Sequence, residues 1–296
     1  MIVLFGCEES QVCTIEFRKK GHEAYSCDTL SCSGGHPEWH IKFDILQIIK
    51  RTEFLTEDNV LHIIKGWDMA VFFPPCTHLA VSGAAWFEQK RKDGRQQQGI
   101  DFFMALQNTN IPHTATENPV GIMSTIYRKP DQIIQPYEFG EEASKKTCLW
   151  LKNLPRLVPT KIVDKGKFYI SPDGKYKMPA WSHDMEVDGK KIGWNTELIK
   201  HLRSKTFPGI ARGMAEQWND ILNYTDMKIE NKHDYVRVIP QFTILPNRIS
   251  LISDENHKYY PKGSIVLQVS RDTVYNMHKP LVCEVRKIKS KGQEKV

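Results

Sequence analysis

The sequence predicts an α/β fold with a mostly parallel sheet. Short apolar runs of strand character alternate along the chain with segments of helical periodicity. Several of these runs end directly in polar or turn-forming residues, which is typical of buried parallel strands. The chain has 296 residues, of which 40% are hydrophobic and 26% charged. It is therefore long enough to bury a core without disulfides or a structural metal.

The first predicted unit is a strand, a helix and a second strand. Residues 2–5 form an apolar run that Gly6 ends, and we expect a buried strand there. Residues 9–20 follow with helical spacing of their apolar positions, and Gly21 supplies a C-terminal stop. Residues 23–26 then predict a second short strand that leads to Asp28.

The next predicted elements continue the alternation. Asp44 has the character of a helix cap and begins a helix at 44–49. Residues 67–73 are a clear buried strand that stops at two prolines, and residues 95–106 predict a helix. Two more strands are predicted at 111–116 and 148–151.

The character of the chain changes from Lys161 to about Asn195. This stretch is rich in Lys, Gly, Asp and aromatic residues, and its turn signals predict small hairpins outside the sheet. A helix is predicted at 208–222 from apolar residues at helical spacing. Strand-like runs at 235–239, 242–245 and 264–269 predict a small β appendage.

Composition and cysteine usage exclude several classes of protein. No apolar run approaches the roughly 20 residues that a membrane-spanning helix needs. The first residues lack the basic segment of a secretory signal, and seven cysteines is an odd number. We therefore expect a cytoplasmic protein with no membrane contact and with free thiols.

The net charge of +6 is concentrated in the tail. Residues 225–296 contain 13 Lys and Arg against 8 Asp and Glu, which leaves +5 there and +1 in the remainder. A basic tail favours contact with a polyanion, and a solvated basic face is the alternative.

The residues at the predicted strand ends are the first candidates for function, because ligands bind beyond the carboxyl ends of parallel strands. Cys76 follows two prolines that stiffen its turn, so it is a candidate nucleophile; a buried structural cysteine is the alternative. Glu117 ends another strand and is a candidate proton donor to a ring nitrogen, or else a turn residue.

These motifs together resemble those of the cytosine-C5 DNA methyltransferases, in particular the compact members common in bacteriophages. Residues 72–76 (Phe-Phe-Pro-Pro-Cys) resemble the family's Pro-Cys motif, and residues 117–119 (Glu-Asn-Pro) its Glu-Asn-Val motif. Residues 4–7 resemble the opening Leu-Phe-Ala-Gly, residues 145–150 the basic strand motif, and residues 207–215 the closing Gly-containing helix. The motifs occur in the family's order.

The resemblance implies a Rossmann-like methyltransferase fold and assigns the site residues. The catalytic residues would be Cys76, Glu117, Asn118 and Lys146. The S-adenosylmethionine site would be formed by a second set of residues, namely Phe5, Gly6, Glu8, Ser10, Asp28, Asp44 and Pro74. No metal is implied.

The implied reaction begins with addition of the Cys76 thiolate to C6 of a cytosine flipped out of DNA, which makes C5 nucleophilic. The implied domains are a catalytic domain at 1–160, a short recognition insert at 161–198, a returning helix at 199–224 and a small basic β domain at 225–296. The sequence indicates no oligomeric state.

One departure from the family motif leaves two other hypotheses open. Glu8 and Glu9 stand where the family has two glycines. A different or modified one-carbon donor would then place another group on C5 of cytosine. Alternatively, the protein binds DNA without catalysis and uses its basic tail as the main contact.

Three further clusters have both a functional and a structural interpretation. Cys27, Cys32, His36 and His40 have zinc-ligand chemistry but no common zinc spacing, so a loop lining the cofactor is the other interpretation. Residues 90–95 are basic and would contact phosphate or remain solvated. The aromatic residues of the insert would stack on bases or pack the hairpins; they are Tyr169, Tyr176, Trp181 and Trp194.

Overall fold

A computed structural model of the protein describes residues 1–182 and 196–219, together with the backbone of short strands at 186–187, 190–191, 267–268 and 284–285. The chain divides into two compact units, Met1–Tyr224 and Thr225–Val296. Within the described residues, no helix is long and apolar enough to cross a membrane.

The first unit contains both strands and helices. Its strands are, in chain order, β1 (Ile2–Gly6), β2 (Glu23–Asp28), β3 (His40–Lys42), β4 (Glu53–Leu55), β5 (Leu61–Ile63), β6 (Met69–Phe72), β7 (His113–Pro119), β8 (Gln132–Ile134), β9 (Thr147–Lys152), β10 (Phe168–Ile170), β11 (Lys177–Pro179), β12 (Glu186–Val187) and β13 (Lys190–Lys191). Its α-helices are α1 (Val12–Lys19), α2 (Ile45–Ile48), α3 (Phe87–Lys92), α4 (Arg95–Gln107), α5 (Met123–Ile126), α6 (Glu197–Ser204) and α7 (Pro208–Gln217). A 3₁₀ segment at Val81–Trp86 precedes α3.

Seven strands form one central sheet in the order β3-β2-β1-β6-β7-β9-β8. The first five strands of that order are parallel, while β9 runs antiparallel to both β7 and β8. The predicted α/β class with a mostly parallel sheet is therefore confirmed. The order reverses between β1 and β6, and ligands of doubly wound sheets bind beyond the carboxyl ends of the strands at such a reversal.

The two faces of the sheet are covered by different helices, as the pleat of β1 illustrates. Val3 and Phe5 point into a core that includes Phe17 of α1 and Met214 and Trp218 of the α7 region. Residues on the opposite face form a second core, which contains Leu4, Tyr25, Ile41, Ile45, Phe54, Trp67 and Leu106. Every strand residue from Val3 to Phe5 is fully buried, as the apolar run predicts.

Some predicted elements differ in their limits. The first helix begins at Val12 rather than Glu9, because residues 7–10 form the turn that leaves β1. Strand β7 continues through Pro119 instead of ending at Thr116, since β9 pairs with it as far as the Pro119–Thr147 register. Helix α7 ends at Gln217 instead of reaching residue 222.

Outside the central sheet, the insert forms small hairpins. Strands β10 and β11 pair antiparallel around the Pro172-Asp173-Gly174 turn, and β12 pairs with β13. In the second unit, β14 (Leu267–Gln268) pairs antiparallel with β15 (Glu284–Val285). The strands predicted at 235–239 and 242–245 lie outside the described residues, and so do Trp194 and Ile221.

Candidate active site

The candidate nucleophile lies in the turn that follows β6. Cys76 is half-buried, and its carbonyl accepts the N–H groups of Leu79 and Ala80, both at 2.9 Å. These two bonds begin the helical segment that continues at Val81. The prolines at 74 and 75 fix the preceding backbone, so the thiol has a defined position at the carboxyl edge of the sheet.

Side chains from three elements hold the carbonyls of this turn. The amide of Asn118 on β7 donates to the carbonyl of Pro74 at 2.8 Å. The ammonium of Lys90 on α3 donates to the carbonyl of Thr77 at 2.6 Å, and Gln96 on α4 donates to the carbonyl of His78 at 3.3 Å. Neighbouring elements therefore fix the turn that carries Cys76.

Glu117 and Asn118 are positioned by a strand rather than by a loop. Both residues lie at the end of β7, as expected, and the strand continues past Thr116 to include them because β9 pairs opposite both. Glu117 lies opposite Leu149 and Asn118 opposite Cys148. A carboxylate on a paired strand has less freedom than one on a loop, which suits a group that must hold a substrate ring.

A small cavity of about 10 Å³ lies beside Glu117. Its walls come from β7, the start of β9 and the segment that enters α7, and the lining residues are Glu117, Lys145, Thr147, Thr206, Phe207, Ile210 and Met214. The segment at 207–215 thus lies beside Glu117, whereas its expected contact with a cofactor stays a prediction. The volume is enough for about one water molecule, so a pyrimidine ring needs the walls to move apart.

The charges around Cys76 act in opposite directions on its thiol. Burial raises the pKa of Cys76, and the nearby carboxylate of Glu117 raises it further. The cations of Lys145 and Arg203 lower this pKa, and the residue's own backbone N–H does the same. The structure therefore places thiol, carboxyl and two cations close enough to influence one another.

Glu117 has the electrostatic character of a proton donor. Burial raises the pKa of Glu117, while Lys145 and a hydrogen bond with Thr147 lower it in part. A carboxylate at Glu117 disfavours a thiolate at Cys76, so the ionisations of the two groups are coupled.

The basic group of the site is Lys145 rather than the expected Lys146. Lys145 lines the cavity, and its ammonium donates to the carbonyl of Arg203 at 3.3 Å. Lys146 is exposed and does not line the cavity. Successive side chains of the extended chain that enters β9 point in opposite directions, so only one of the two lysines can face the cavity. The motif similarity did not show which of the two it is.

The predicted cofactor loop begins at Gly6, where the backbone passes close to its neighbours. A Cβ at this position would lie 2.7 Å from Ile45 Cγ1 and 2.8 Å from Phe72 Cδ1, so a larger residue does not fit. Cys7 then adopts a left-handed conformation with φ 61°. Its N–H donates to the carbonyl of Cys27 at 2.7 Å, which ties the loop to the end of β2.

Glu8 caps helix α1 with its own carboxylate. The carboxylate accepts the N–H of Cys13 at 2.6 Å, the N–H of Thr14 at 3.3 Å and the hydroxyl of Thr14 at 2.7 Å. Burial raises the pKa of Glu8 to about 7, and these hydrogen bonds offset only part of that rise. At the start of α1, the N–H groups of Cys13 and Thr14 are therefore taken by a carboxylate of the chain itself.

Two acidic residues expected around the cofactor lie beside Cys7. Burial raises the pKa of Cys7 to about 12, and the charges of Asp28 and Asp44 contribute to the rise. Asp28 accepts the N–H of Leu30 at 3.0 Å, and Asp44 accepts that of Leu46 at 2.9 Å as the cap of α2. The carboxyl ends of β1 to β3 thus form an acidic edge.

The remaining predicted cofactor residues are buried. Phe5 is fully buried and packs edge-on against Phe17 at 5.0 Å between ring centroids. Ser10 and Pro74 are also buried, and the contact that Pro74 makes is the one with Asn118 described above.

Cys13 lies between Glu8, which caps α1, and the wall of the Glu117 cavity. Its thiol is fully buried and hydrogen-bonds with Glu8 and Thr206, and the charge of Glu117 also acts on it. The cap of α1 is therefore adjacent to the wall of the Glu117 cavity. Sequence analysis did not single out Cys13, because a cysteine inside a helix carries no motif.

Residues 27–40 form a well-anchored loop. His40 has a partner at each ring nitrogen, Ser26 Oγ and Leu30 O, both at 2.8 Å, and His36 stacks on Trp39 at 3.9 Å. Gln11 holds the loop through the backbone of His36. Across residues 1–182 and 196–219, no three His, Cys, Asp or Glu side chains are placed to share a metal ion.

The basic residues of 90–95 and the aromatic residues of the insert include both buried and exposed side chains. Lys90 is buried, whereas Lys92 pairs with Glu88 and Arg95 with Asp93 on the surface. Trp181 packs edge-on against Phe207 at 5.0 Å and donates to the carbonyl of Ser144, so it supports the cavity wall. Tyr176 is exposed and Tyr169 half-buried.

Comparison with other proteins adds no relative. No protein-family model matches the chain, and a search of curated proteins finds no match. A functional proposal therefore depends on the geometry of this site and on the motif resemblance.

Proposed function

We propose that the protein is a DNA cytosine-C5 methyltransferase with a Rossmann-like methyltransferase fold and a C-terminal β appendage. The observation that carries the proposal is the proximity of a turn-held cysteine and a half-buried carboxyl at one edge of the sheet. Cys76 and Glu117 come from neighbouring strands, and their charges influence each other. This combination suits attack on a pyrimidine ring that accepts a proton at the same time.

In the proposed reaction, the Cys76 thiolate bonds to C6 of a cytosine flipped out of DNA. The electron pair of the C5–C6 double bond moves into the ring, and Glu117 gives its proton to N3 as that charge develops. C5 is then nucleophilic and takes up a methyl group. Transfer of the C5 proton to water, return of the N3 proton to Glu117 and departure of the Cys76 sulfur as a thiolate restore the aromatic ring.

The basic groups favour the thiolate form of Cys76. Lys145 and Arg203 lower the pKa of Cys76 and so increase its thiolate fraction. Asn118 holds the turn of Cys76 against β7, which keeps sulfur and carboxyl in one relative position. The site therefore has a nucleophile, a proton donor and a support for both.

The residues at the carboxyl ends of β1 to β3 fit S-adenosylmethionine. Asp28 and Asp44 supply acceptors for hydroxyl and amine groups, and an acidic edge suits a ligand with a positive sulfonium. The filled start of α1 argues against a phosphate group there. S-adenosylmethionine supplies the methyl group of the reaction.

The remaining parts of the chain have proposed roles toward DNA. We assign residues 161–198 to target recognition because they form hairpins outside the sheet. The basic residues of 225–296 would contact phosphates, and such contacts would make affinity fall with salt.

A mechanism-based trap tests the proposal. The full chain is incubated with S-adenosylmethionine and duplex DNA that contains 5-fluorocytosine, whose fluorine blocks the release step. We expect a covalent adduct on the peptide that contains Cys76, detected by mass spectrometry, and none with Cys76→Ser. Cys32→Ser, which changes a cysteine outside the site, should keep the adduct.

Absence of an adduct from the folded wild-type protein under these conditions would contradict the proposal. Nucleosides from treated ordinary DNA identify the transferred group at the same time. A mass increase of one methyl group supports S-adenosylmethionine, whereas any other increase favours a different donor. DNA binding without adduct or product would favour a non-catalytic protein.

A further inference from the structure

Lys90 is a buried cation that the proposed reaction does not use. The residue is 8% exposed, although it lies in a basic run whose neighbours Arg91 and Lys92 are exposed. Its ammonium donates to the carbonyl of Thr77 at 2.6 Å. Thr77 directly follows Cys76, so a charged side chain from α3 is bonded to the turn of the nucleophile.

The segment between the turn and α3 closes around this ammonium. The nitrogen of Lys90 lies 6.0 Å from the ring centroid of Phe87. A Cβ added to Gly83 would lie 3.2 Å from the same nitrogen. The ammonium thus contacts the nucleophile turn, the 3₁₀ segment and the beginning of α3, and joins all three.

The burial of Lys90 argues against a contact with DNA phosphate. Removing an ammonium from water is costly unless it has a hydrogen-bond partner, and here the partner is inside the protein. Lys92, on the same helix, instead pairs with Glu88 at 2.8 Å with both side chains largely in solvent. The two lysines of α3 therefore have different environments.

We infer that Lys90 is a positioning residue, which holds residues 81–92 against the nucleophile turn and thereby fixes the direction of the Cys76 side chain. This inference rests on the proposed function, in which Cys76 is the nucleophile. Lys90 acts through the Thr77 carbonyl and contacts neither substrate nor cofactor.

The groups that face Cys76 give the inference a measurable consequence. Glu117 on β7 faces the thiol, as do Lys145 before β9 and Arg203 on α6. The two cations and the residue's own N–H stabilise the thiolate only while the turn keeps its geometry. Release of the turn should weaken these contacts and move the ionisation of Cys76 to higher pH.

The test compares Lys90→Met with Lys92→Met, which remove the same charge from the same helix. Iodoacetamide alkylation of Cys76 in the full chain is followed by peptide mass spectrometry as a function of pH. For Lys90→Met, we expect the midpoint to rise by roughly half a pH unit or more. Lys92→Met should give the wild-type curve. Lys90→Arg keeps a donor, so its midpoint should lie between those of the wild type and Lys90→Met.

Two results would overturn the inference: a wild-type midpoint for Lys90→Met, or an equal shift for both lysine variants. If Lys90→Met does not fold, Gly83→Ala tests the same contact by displacing the ammonium, and an unchanged midpoint then counts against the inference. The assay needs neither DNA nor cofactor. A failure to methylate DNA would therefore be distinguishable from a failure of Lys90 to position the turn.

Discussion

The side-chain amide of Asn118 donates a hydrogen bond of 2.8 Å to the carbonyl of Pro74, and both groups are buried. The bond links two segments that lie 44 positions apart in the chain. One carries Cys76 and the other Glu117, so this contact helps to fix the distance between the candidate nucleophile and the candidate proton donor. Asn118 therefore has a structural role, which is to hold the turn of Cys76 against β7, and the Glu-Asn-Pro motif alone does not reveal it.

Replacement of Asn118 should cost stability and activity together. Asn118→Ala leaves the Pro74 carbonyl buried without its donor, and we expect a loss of about 1–3 kcal/mol in the free energy of unfolding. Asn118→Asp should be worse, because an oxygen then faces the carbonyl oxygen. Urea denaturation and the 5-fluorocytosine adduct assay measure the two effects. The exposed Asn110→Ala is the control, and equal behaviour of both alanine variants would contradict this role.

The two adjacent lysines should behave differently. Lys145 lowers the pKa of both Cys76 and Glu117, so Lys145→Met should raise both values. A rise of one unit at Cys76 reduces the thiolate fraction near neutral pH about tenfold. We expect adduct formation to slow by roughly that factor at pH 7 and to recover at higher pH. Lys146→Met removes an exposed charge and should stay within about twofold of wild type.

Long apolar elements were predictable from the sequence because burial dictates their composition. Strand β6 is buried throughout and β1 from Val3 onward, both consist of apolar residues and glycine, and α4 keeps the predicted start at Arg95. Strand β3 and the β4–β5 hairpin were missed, since each strand has three residues and mixes charged with apolar positions. Their pairing partners, rather than their own sequences, make them strands.

The site was predictable where topology brings motifs together. Cys76 and Glu117 follow or end parallel strands, and parallel strands bring their carboxyl ends to one edge. The choice between Lys145 and Lys146 depends on the antiparallel register of β9 with β7, which no local pattern encodes. Tertiary packing brings Lys90 to the turn and Arg203 close enough to influence Cys76, and no local pattern distinguishes either residue from its neighbours.

Glu8 predicts a pH dependence of stability with a definite sign. Its pKa is about 7 in the folded protein against an ordinary value of 4.5, so the folded state keeps a proton that the unfolded state loses in this range. The free energy of unfolding should therefore fall as pH rises from about 4.5 to 7, by up to about 3 kcal/mol from this group. Buried Glu117 acts in the same direction.

Glu8→Gln tests this dependence because it keeps an acceptor for α1 but cannot ionise. Denaturation by urea at pH 5 and pH 7.5 should show a smaller difference for Glu8→Gln than for wild type. Glu88→Gln removes an exposed carboxyl of the same kind and should leave the wild-type difference unchanged. A Glu8→Gln protein with the full wild-type dependence would show that Glu8 does not hold the proton.

Replacement by alanine should affect the stability and the adduct rate at one helical glycine, Gly209, but not at another, Gly99. A Cβ at Gly209 in α7 would overlap the carbonyl oxygen of Phe139, so the helix must move. Because α7 supplies Ile210 and Met214 to the cavity wall, Gly209→Ala should slow adduct formation and cost about 1–3 kcal/mol in unfolding free energy.

At Gly99 in α4, the nearest atom is the flexible end of Leu79 at 3.3 Å, and alanine favours a helix by up to about 1 kcal/mol. Gly99→Ala should therefore keep wild-type stability and adduct rate, and a Gly209→Ala protein with the same two values would show that α7 does not shape the site.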